Sequence, residues 1–229
     1  MSEVKRKYVT PGELVGKGSY NRTSNVYQID DKFYSTRVGM AEVINDSLRV
    51  IPLTGPYIPR EDDLVIGKIV DHSAFAWEVD INSCFSGFLL AQSVFGRDYS
   101  PARDSLTKKF AIGDLITVKI QAFDRTRDPL LSVSGPGLGR INRGEIVLIS
   151  TTKVPRVIGK KGAMIKTIEK YSKCRLTVGQ NGLVVISGSP EGIVLAKSAL
   201  DLIDHETHTT DLTQKVQDLL SKSSNGEKE

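Results

Sequence analysis

Val154-Pro155-Arg156-Val157-Ile158-Gly159-Lys160-Lys161-Gly162-Ala163-Met164-Ile165-Lys166-Thr167-Ile168 is the stretch on which the reading of this chain turns. Two glycines bracket two lysines, an apolar segment leads in, and Ile165 and Ile168 follow at helical spacing. The four central residues therefore read as a tight loop that opens onto a helix. Glycine admits positive φ angles and lets backbone approach a ligand, while a new helix offers free N–H groups and the positive end of its dipole. Such a loop is suited to holding a phosphate, and Lys160 and Lys161 add charge.

Working outward, Glu145 to Ser150 reads as a strand, a short helix around Arg156 to Ile158 enters the loop, and Ala163 to Tyr171 forms a second helix. Cys174–Val178 and Leu183–Ser187 read as two strands joined by Gly179-Gln180-Asn181-Gly182, whose Asn-Gly is a strong hairpin signal. Ser189-Pro190-Glu191 starts a last helix with a serine cap, and its apolar stripe is Ile193, Ala196, Ala199, Leu200 and Ile203. This βααββα order with Ile-Gly-Lys-Lys-Gly between the first two helices resembles the α+β KH domain of the eukaryotic-type topology. The resemblance implies that the loop clamps roughly four nucleotides of single-stranded backbone beside an apolar groove. Carried over, Gly159 and Gly162 shape the loop, and Lys160 and Lys161 face phosphates.

Charge is distributed to match. The net charge is +4, but residues 151–175 carry eight basic side chains, Lys153, Arg156, Lys160, Lys161, Lys166, Lys170, Lys173 and Arg175, against one acid, Glu169. A basic run is ordinarily a solvated helix face; coinciding with a phosphate-shaped loop, it reads as a footprint for nucleic acid, with Lys153, Arg156 and Lys166 flanking the loop.

Upstream, Leu64–Val70, Phe75–Ile81, Gly87–Leu90, Ile112–Ile120 and Leu130–Ser134 are five β patterns. The Gly-x-Ile-Val at Gly67, the Gly-Phe-Leu at Gly87, the strand after Gly113-Asp114 and the closing Leu-Ser-Val-Ser resemble an S-one domain, an OB-type five-stranded β-barrel. OB barrels stack bases on exposed aromatics, so Phe75, Trp77, Phe85 and Phe88 are each candidates for stacking or for packing the core. Strand alternation puts Phe75 and Trp77 on one face with a shared fate. Phe95 to Lys109 is an expected long loop, either a solvated connection or a basic lip in which Arg97 and Arg103 meet RNA backbone. Gly135-Pro136-Gly137-Leu138-Gly139 reads as linker, because Asn142 occupies the third glycine position of a dinucleotide fingerprint.

From Val9 to Pro59, turn residues alternate with short β-rich runs, including a Val26–Ile29 and Lys32–Val38 hairpin and a strand at Leu48–Ile51. This all-β N-terminal module is charge-neutral and has no charge signature for RNA, so its role is either folding support or docking to a protein partner. The expected division is 1–60 for this β-rich module, 61–136 for the barrel, 137–143 for a linker, 144–204 for the KH domain, and 205–229 for a polar C-terminal helix and a tail disordered from Ser221.

The order of the three modules, with Val9-Thr10-Pro11-Gly12-Glu13-Leu14 at the start, resembles the RNA-binding cap subunits of the archaeal exosome. That resemblance implies a multidomain, non-catalytic subunit, three copies of which sit on a ring of RNase PH-like subunits and feed single-stranded RNA into it for 3′-to-5′ degradation. The alternative is a free-standing single-stranded RNA-binding protein of translation or RNA processing.

Composition excludes other classes. No apolar run approaches the roughly 20 residues of a membrane span, and the polar, basic start lacks a secretory core, so a cytoplasmic protein is expected. Cys84 and Cys174 lie far apart, and His205-x-x-His208 lacks further ligands, so neither metal nor cofactor is expected. Asp30-Asp31 and Asp62-Asp63 sit at turns, and no histidine lies in an activating motif, which argues against catalysis.

Overall fold

The structure, a computed structural model, describes residues 6–205 and 212–225. It divides into two compact units, Met1–Gly55 and Pro56–Glu229. The first unit holds β1 (Arg6–Val9), β2 (Leu14–Lys17), β3 (Arg22–Ser24), β4 (Val26–Ile29), β5 (Lys32–Ser35), β6 (Gly39–Ile44) and β7 (Ser47–Pro52). They form a four-stranded sheet of order β1-β6-β7-β3 and a three-stranded sheet of order β2-β5-β4. The expected β4–β5 hairpin is present, with Asp30 at φ 53° in its turn. A second hairpin joins β6 to β7 through Asn45 (φ 46°) and Asp46 (φ 57°). Two consecutive left-handed residues match the twist of a tight hairpin. Inside, Val9, Ala41 and Val50 make a small core, and the buried Glu42 carboxylate is bracketed by Arg6 and Arg49.

The second unit begins with a barrel of β8 (Leu64–His72), β9 (Ala76–Asp80), β10 (Ser86–Leu90), β11 (Leu115–Ala122) and β12 (Leu130–Ser132). Strand β12 closes it by pairing parallel to β10 and antiparallel to β11. Alternation along β8 sends Val65 and Ile69 inward to meet Val79, Ile116 and Val118. Gly67 is also an inward position, and a Cβ there would sit 2.4 Å from Val79 Cγ1 and 3.1 Å from Asp80 O. Its glycine is set by close approach across the barrel, not by turn geometry.

Two corrections concern the connections. The stretch from Phe95 to Lys109 is not an open loop: α1 (Ala91–Phe95) and α2 (Leu106–Lys109) border it, and Leu106 and Phe110 are buried in the barrel core. In the expected linker, Gly139–Arg140 forms β13 and pairs with β11, while Arg140 Nη2 lies 2.7 Å from Asp114 Oδ1.

The remainder is β14 (Glu145–Leu148), α3 (Val154–Ile158), α4 (Ala163–Ser172), β15 (Arg175–Val178), β16 (Leu183–Ser187), α5 (Pro190–His205) and α6 (Leu212–Asn225). The sheet order is β14-β16-β15, all antiparallel. Ser189 Oγ accepts from Gly192 N at 3.2 Å, capping α5 as expected, a contact worth about 1 kcal/mol. Ala196, Ala199, Leu200 and Ile203 are buried with Val154, Val157 and Ile168 in one core. Helix α6 runs past Ser221 to Asn225, where a disordered tail was expected, and Val216 and Leu220 join that core. His208, of the His205-x-x-His208 pair, lies outside the described residues.

Because Gly67 has no room for a side chain, Gly67→Ala is expected to destabilise the barrel by about 1–3 kcal/mol through overpacking. Chemical denaturation followed by fluorescence of Trp77, the single tryptophan, measures this; an unchanged midpoint would contradict the packing described.

Candidate nucleic-acid interface

Helix α3 is a single turn held by the fully buried Val154 and Val157, with Pro155 supplying a helical φ near its start. It stops at Gly159, whose φ of 73° and ψ of 175° lie outside the range of side-chain-bearing residues. A Cβ on Gly159 would also lie 2.7 Å from Met164 Cβ and 2.8 Å from Met164 N. Lys161 (φ 54°, ψ 30°) and Gly162 (φ 77°, ψ 16°) then turn left-handed in succession before α4 begins. The result is a loop whose two lysine side chains are both exposed, standing over a helix start that has neither a side-chain cap nor an acid in its first turn. Uncapped N–H groups and two ammonium charges make this end of α4 strongly favourable for an anion.

The nearest acid of the basic run does not cancel that charge locally. Glu169 turns to the sheet, its Oε1 accepting from Leu176 N at 2.8 Å. Arg156 and Lys166 are exposed beside the loop. Lys153 is different: it is buried, and burial first, then repulsion from Arg156, pulls its amine below the ordinary lysine value while Asp204 opposes the change. Its burial leaves Lys153 less available to a phosphate than the exposed Arg156 and Lys166.

On the barrel, Phe75 and Trp77 separate. Ser73 N donates to Ala76 O at 2.8 Å, so Ala74 and Phe75 form the two-residue tip between β8 and β9. Phe75 precedes the strand, strand alternation does not govern it, and it is 63% exposed. Trp77 is 0% exposed. Its Nε1 donates to Phe110 O at 3.0 Å, and its ring packs 5.4 Å from Phe110 and 6.1 Å from Phe95. Trp77 is thus a core residue and cannot stack a base in this fold. Phe88 is half-buried on β10, and Phe85 packs edge-on against Phe123 at 4.9 Å.

Arg97 is exposed, as a phosphate contact requires. Arg103 is tied down: its Nη2 donates to Asp98 O at 2.7 Å and pairs with Asp104 at 3.2 Å. That hydrogen bond from Arg103 holds the Asp104 carboxyl below its ordinary range. Sequence reasoning missed a groove bordered by Ser93, Lys109, Phe110, Ser134 and Arg140; the only signal for it was the Lys108-Lys109 pair. Among the described residues, no group of three or more His, Cys, Asp or Glu could hold a metal.

Comparison with known proteins agrees with this geometry. A KH domain family model matches residues 144–201, and the model for the exosome RNA binding protein RRP4 N-terminal domain matches residues 6–54. Exosome complex component Rrp4 of Nitrosopumilus maritimus is 50% identical over 219 residues, covering 95% of this chain and 97% of that protein. The protein of the same name from Thermofilum pendens is 39% identical, covering 95% and 93%. A solved structure of an exosome complex RNA-binding protein superposes with a TM-score of 0.70 at 39% identity, covering 76% of this chain and all of that one.

The two aromatics are expected to respond oppositely to substitution. Phe75→Ala should weaken binding of single-stranded RNA by about 1–3 kcal/mol, the value of one stacked base, and leave stability unchanged. Trp77→Phe should lower the unfolding midpoint by removing the donor to Phe110 O, and spare RNA affinity in the folded protein. Equal RNA affinity of wild type and Phe75→Ala by fluorescence anisotropy would refute the assignment of Phe75.

Proposed function

The chain belongs to the Rrp4 family of exosome complex components, and on that premise we propose that it is the non-catalytic cap that grips single-stranded RNA and directs it into an RNase PH-like ring for 3′-to-5′ degradation. Three copies sit on one ring, in the cytoplasm. The observation that carries the RNA role is the Gly159–Gly162 loop, where two exposed lysines meet an uncapped helix start. Nothing in that arrangement reads a base edge. It recognises backbone phosphate, which suits a protein that must pass RNA of any sequence.

Docking to the ring is assigned to the N-terminal unit. Its surface carries exposed Leu14, Tyr27 and Ile29 on the β2-β5-β4 sheet, with Tyr27 stacked on Tyr34 at 5.3 Å. Exposed apolar and aromatic side chains grouped on one sheet fit a protein partner better than a nucleic-acid backbone. A free-standing RNA-binding role is not favoured, since the relatives that match nearly the whole chain are exosome components. No described helix is long and apolar enough to cross a membrane.

Two experiments test the assignment. Reversing the loop charge with Lys160→Glu and Lys161→Glu together should weaken binding across RNA sequences and reduce the salt slope by about one to two, as loss of two phosphate contacts requires. Unchanged affinity at two salt concentrations would reject the clamp. Deleting residues 1–55 should abolish co-sedimentation with an RNase PH-like ring while leaving RNA affinity intact; persistence of the complex would reject the docking role.

A further inference from the structure

Residues 96–104, between α1 and α2, tie themselves into a closed loop. Gly96 turns at φ 93°, and Tyr99 N donates to Gly96 O at 3.3 Å. Arg103 N and Asp104 N both donate to Ser100 O, at 3.0 and 2.9 Å, and Ser100 N donates back to Asp104 Oδ2 at 3.1 Å. The Arg103 guanidinium, bonded to Asp98 O, ties the end of the loop to the residue before Tyr99. These bonds flank Tyr99 on both sides.

Tyr99 is where this loop meets the barrel. Its ring stacks on Phe95 at 5.4 Å and 20°, and Phe95 stacks on the buried Trp77 at 6.1 Å and 22°. Near-parallel rings thus run from the barrel core out to the half-buried Tyr99, whose hydroxyl donates to Ala74 O at 2.5 Å. Ala74 and Phe75 are the tip of the β8–β9 hairpin. Phe75 N and Ala76 N donate to Ser73 Oγ at 3.3 and 3.2 Å, and Phe75 O accepts from Ala91 N at 2.8 Å. The peptide planes on either side of Phe75 are therefore clamped at both their oxygen and their nitrogen. A plane is rigid, so fixing the two planes fixes φ and ψ between them and with these the direction of the Phe75 side chain. That side chain is nonetheless exposed, and exposed loop tips are ordinarily where order is lowest.

We propose that Tyr99 is a positioning residue for single-stranded RNA, its hydroxyl holding the Ala74–Phe75 peptide plane so that Phe75 meets a base on a backbone already fixed. This rests on the RNA-gripping function proposed above and on Phe75 as its stacking residue. A ring on a free tip must be ordered when a base arrives, and that ordering is subtracted from the affinity. With the plane held beforehand, the stacking contact is kept in full. Ala74 is itself exposed, so water can take the place of the hydroxyl at its carbonyl; losing the hydroxyl frees the plane without stranding a buried group. The same geometry gives Arg103 a use other than phosphate contact, since it holds the turn that carries Tyr99.

The test uses the full chain and a fluorescein-labelled oligoadenylate, with affinity read by anisotropy and the unfolding midpoint measured on the same samples. Tyr99→Phe keeps the stacked ring and removes only the hydroxyl. It should weaken RNA binding about three- to tenfold, the range of one net hydrogen bond, with the midpoint close to that of wild type. In a Phe75→Ala background the same change should alter affinity by less than about twofold, because no ring is left to position. Wild-type affinity in Tyr99→Phe would overturn the proposal. An undiminished loss in the Phe75→Ala background would overturn it too, since Tyr99 would then act without Phe75. Should Tyr99→Phe fail to fold, Arg103→Ala leaves Tyr99 in place and loosens its turn, and must still weaken binding only where Phe75 is present. A loss that persists without Phe75 and lowers the salt slope by about one would make Arg103 a phosphate contact instead and refute the brace. Wild-type affinity in Phe75→Ala, or no binding by the wild type, would overturn the RNA reading itself, and the role of Tyr99 with it.

Discussion

The barrel and the KH fold have separate hydrophobic cores, and at the Gly179–Gly182 turn they are joined by a set of hydrogen bonds centred on the buried Asn181 carboxamide, with Gln180 N donating to Leu64 O and Asn82 Nδ2 donating to Asn181 O beside it. Asn181 meets Ile66 and Ile81 through their backbones, so the joint is independent of which side chains fill the barrel. Each bond is modest in net terms. Leaving a buried amide or the two carbonyls unpartnered is what costs, at about 1–3 kcal/mol per group. A joint of this kind is directional in a way that an apolar contact is not, because amide geometry fixes orientation as well as distance.

That orientation matters because neither element proposed to face RNA is strong alone. The loop offers two lysines and a helix start, and the barrel offers one well-exposed aromatic, Phe75. Both are local and tolerant of sequence. A cap that passes RNA onward benefits from such contacts, since weak grips held in fixed register retain a strand without trapping it. Glu169, the one acid of the basic run, accepts from Leu176 N, and the first turn of α4 carries no acid.

Much of this was legible in the chain because it is local. Gly159 and Gly162, the stripe on α5 and the serine cap follow from spacing and residue type, and five β patterns were enough to recover the barrel. What escaped depends on partners distant in sequence. Trp77 is core because Phe95 and Phe110 come back over it, and Phe75 escapes alternation because it lies in the hairpin tip, one residue before β9 begins. Arg103 looked free, yet its neighbours Asp98 and Asp104 bind it. Asn181 read as an ordinary turn residue, and its partners lie 115 and 100 positions away. Local pattern identifies what an element is; it is silent on which buried polar group an element must satisfy elsewhere.

On the proposed function, one RNA strand is held by the Gly159–Gly162 loop and by Phe75 at once. Photo-crosslinking tests it directly, using a single-stranded RNA of about 20 nucleotides that carries a reactive base at each position in turn, bound to the full chain at equimolar ratio. The account predicts crosslinks from two separated positions of the same strand, one to the peptide containing Gly159–Gly162 and the other to the peptide containing Phe75, including doubly linked products when both positions are reactive. Crosslinks confined to one of these peptides, or two that never occur on the same strand, would contradict it.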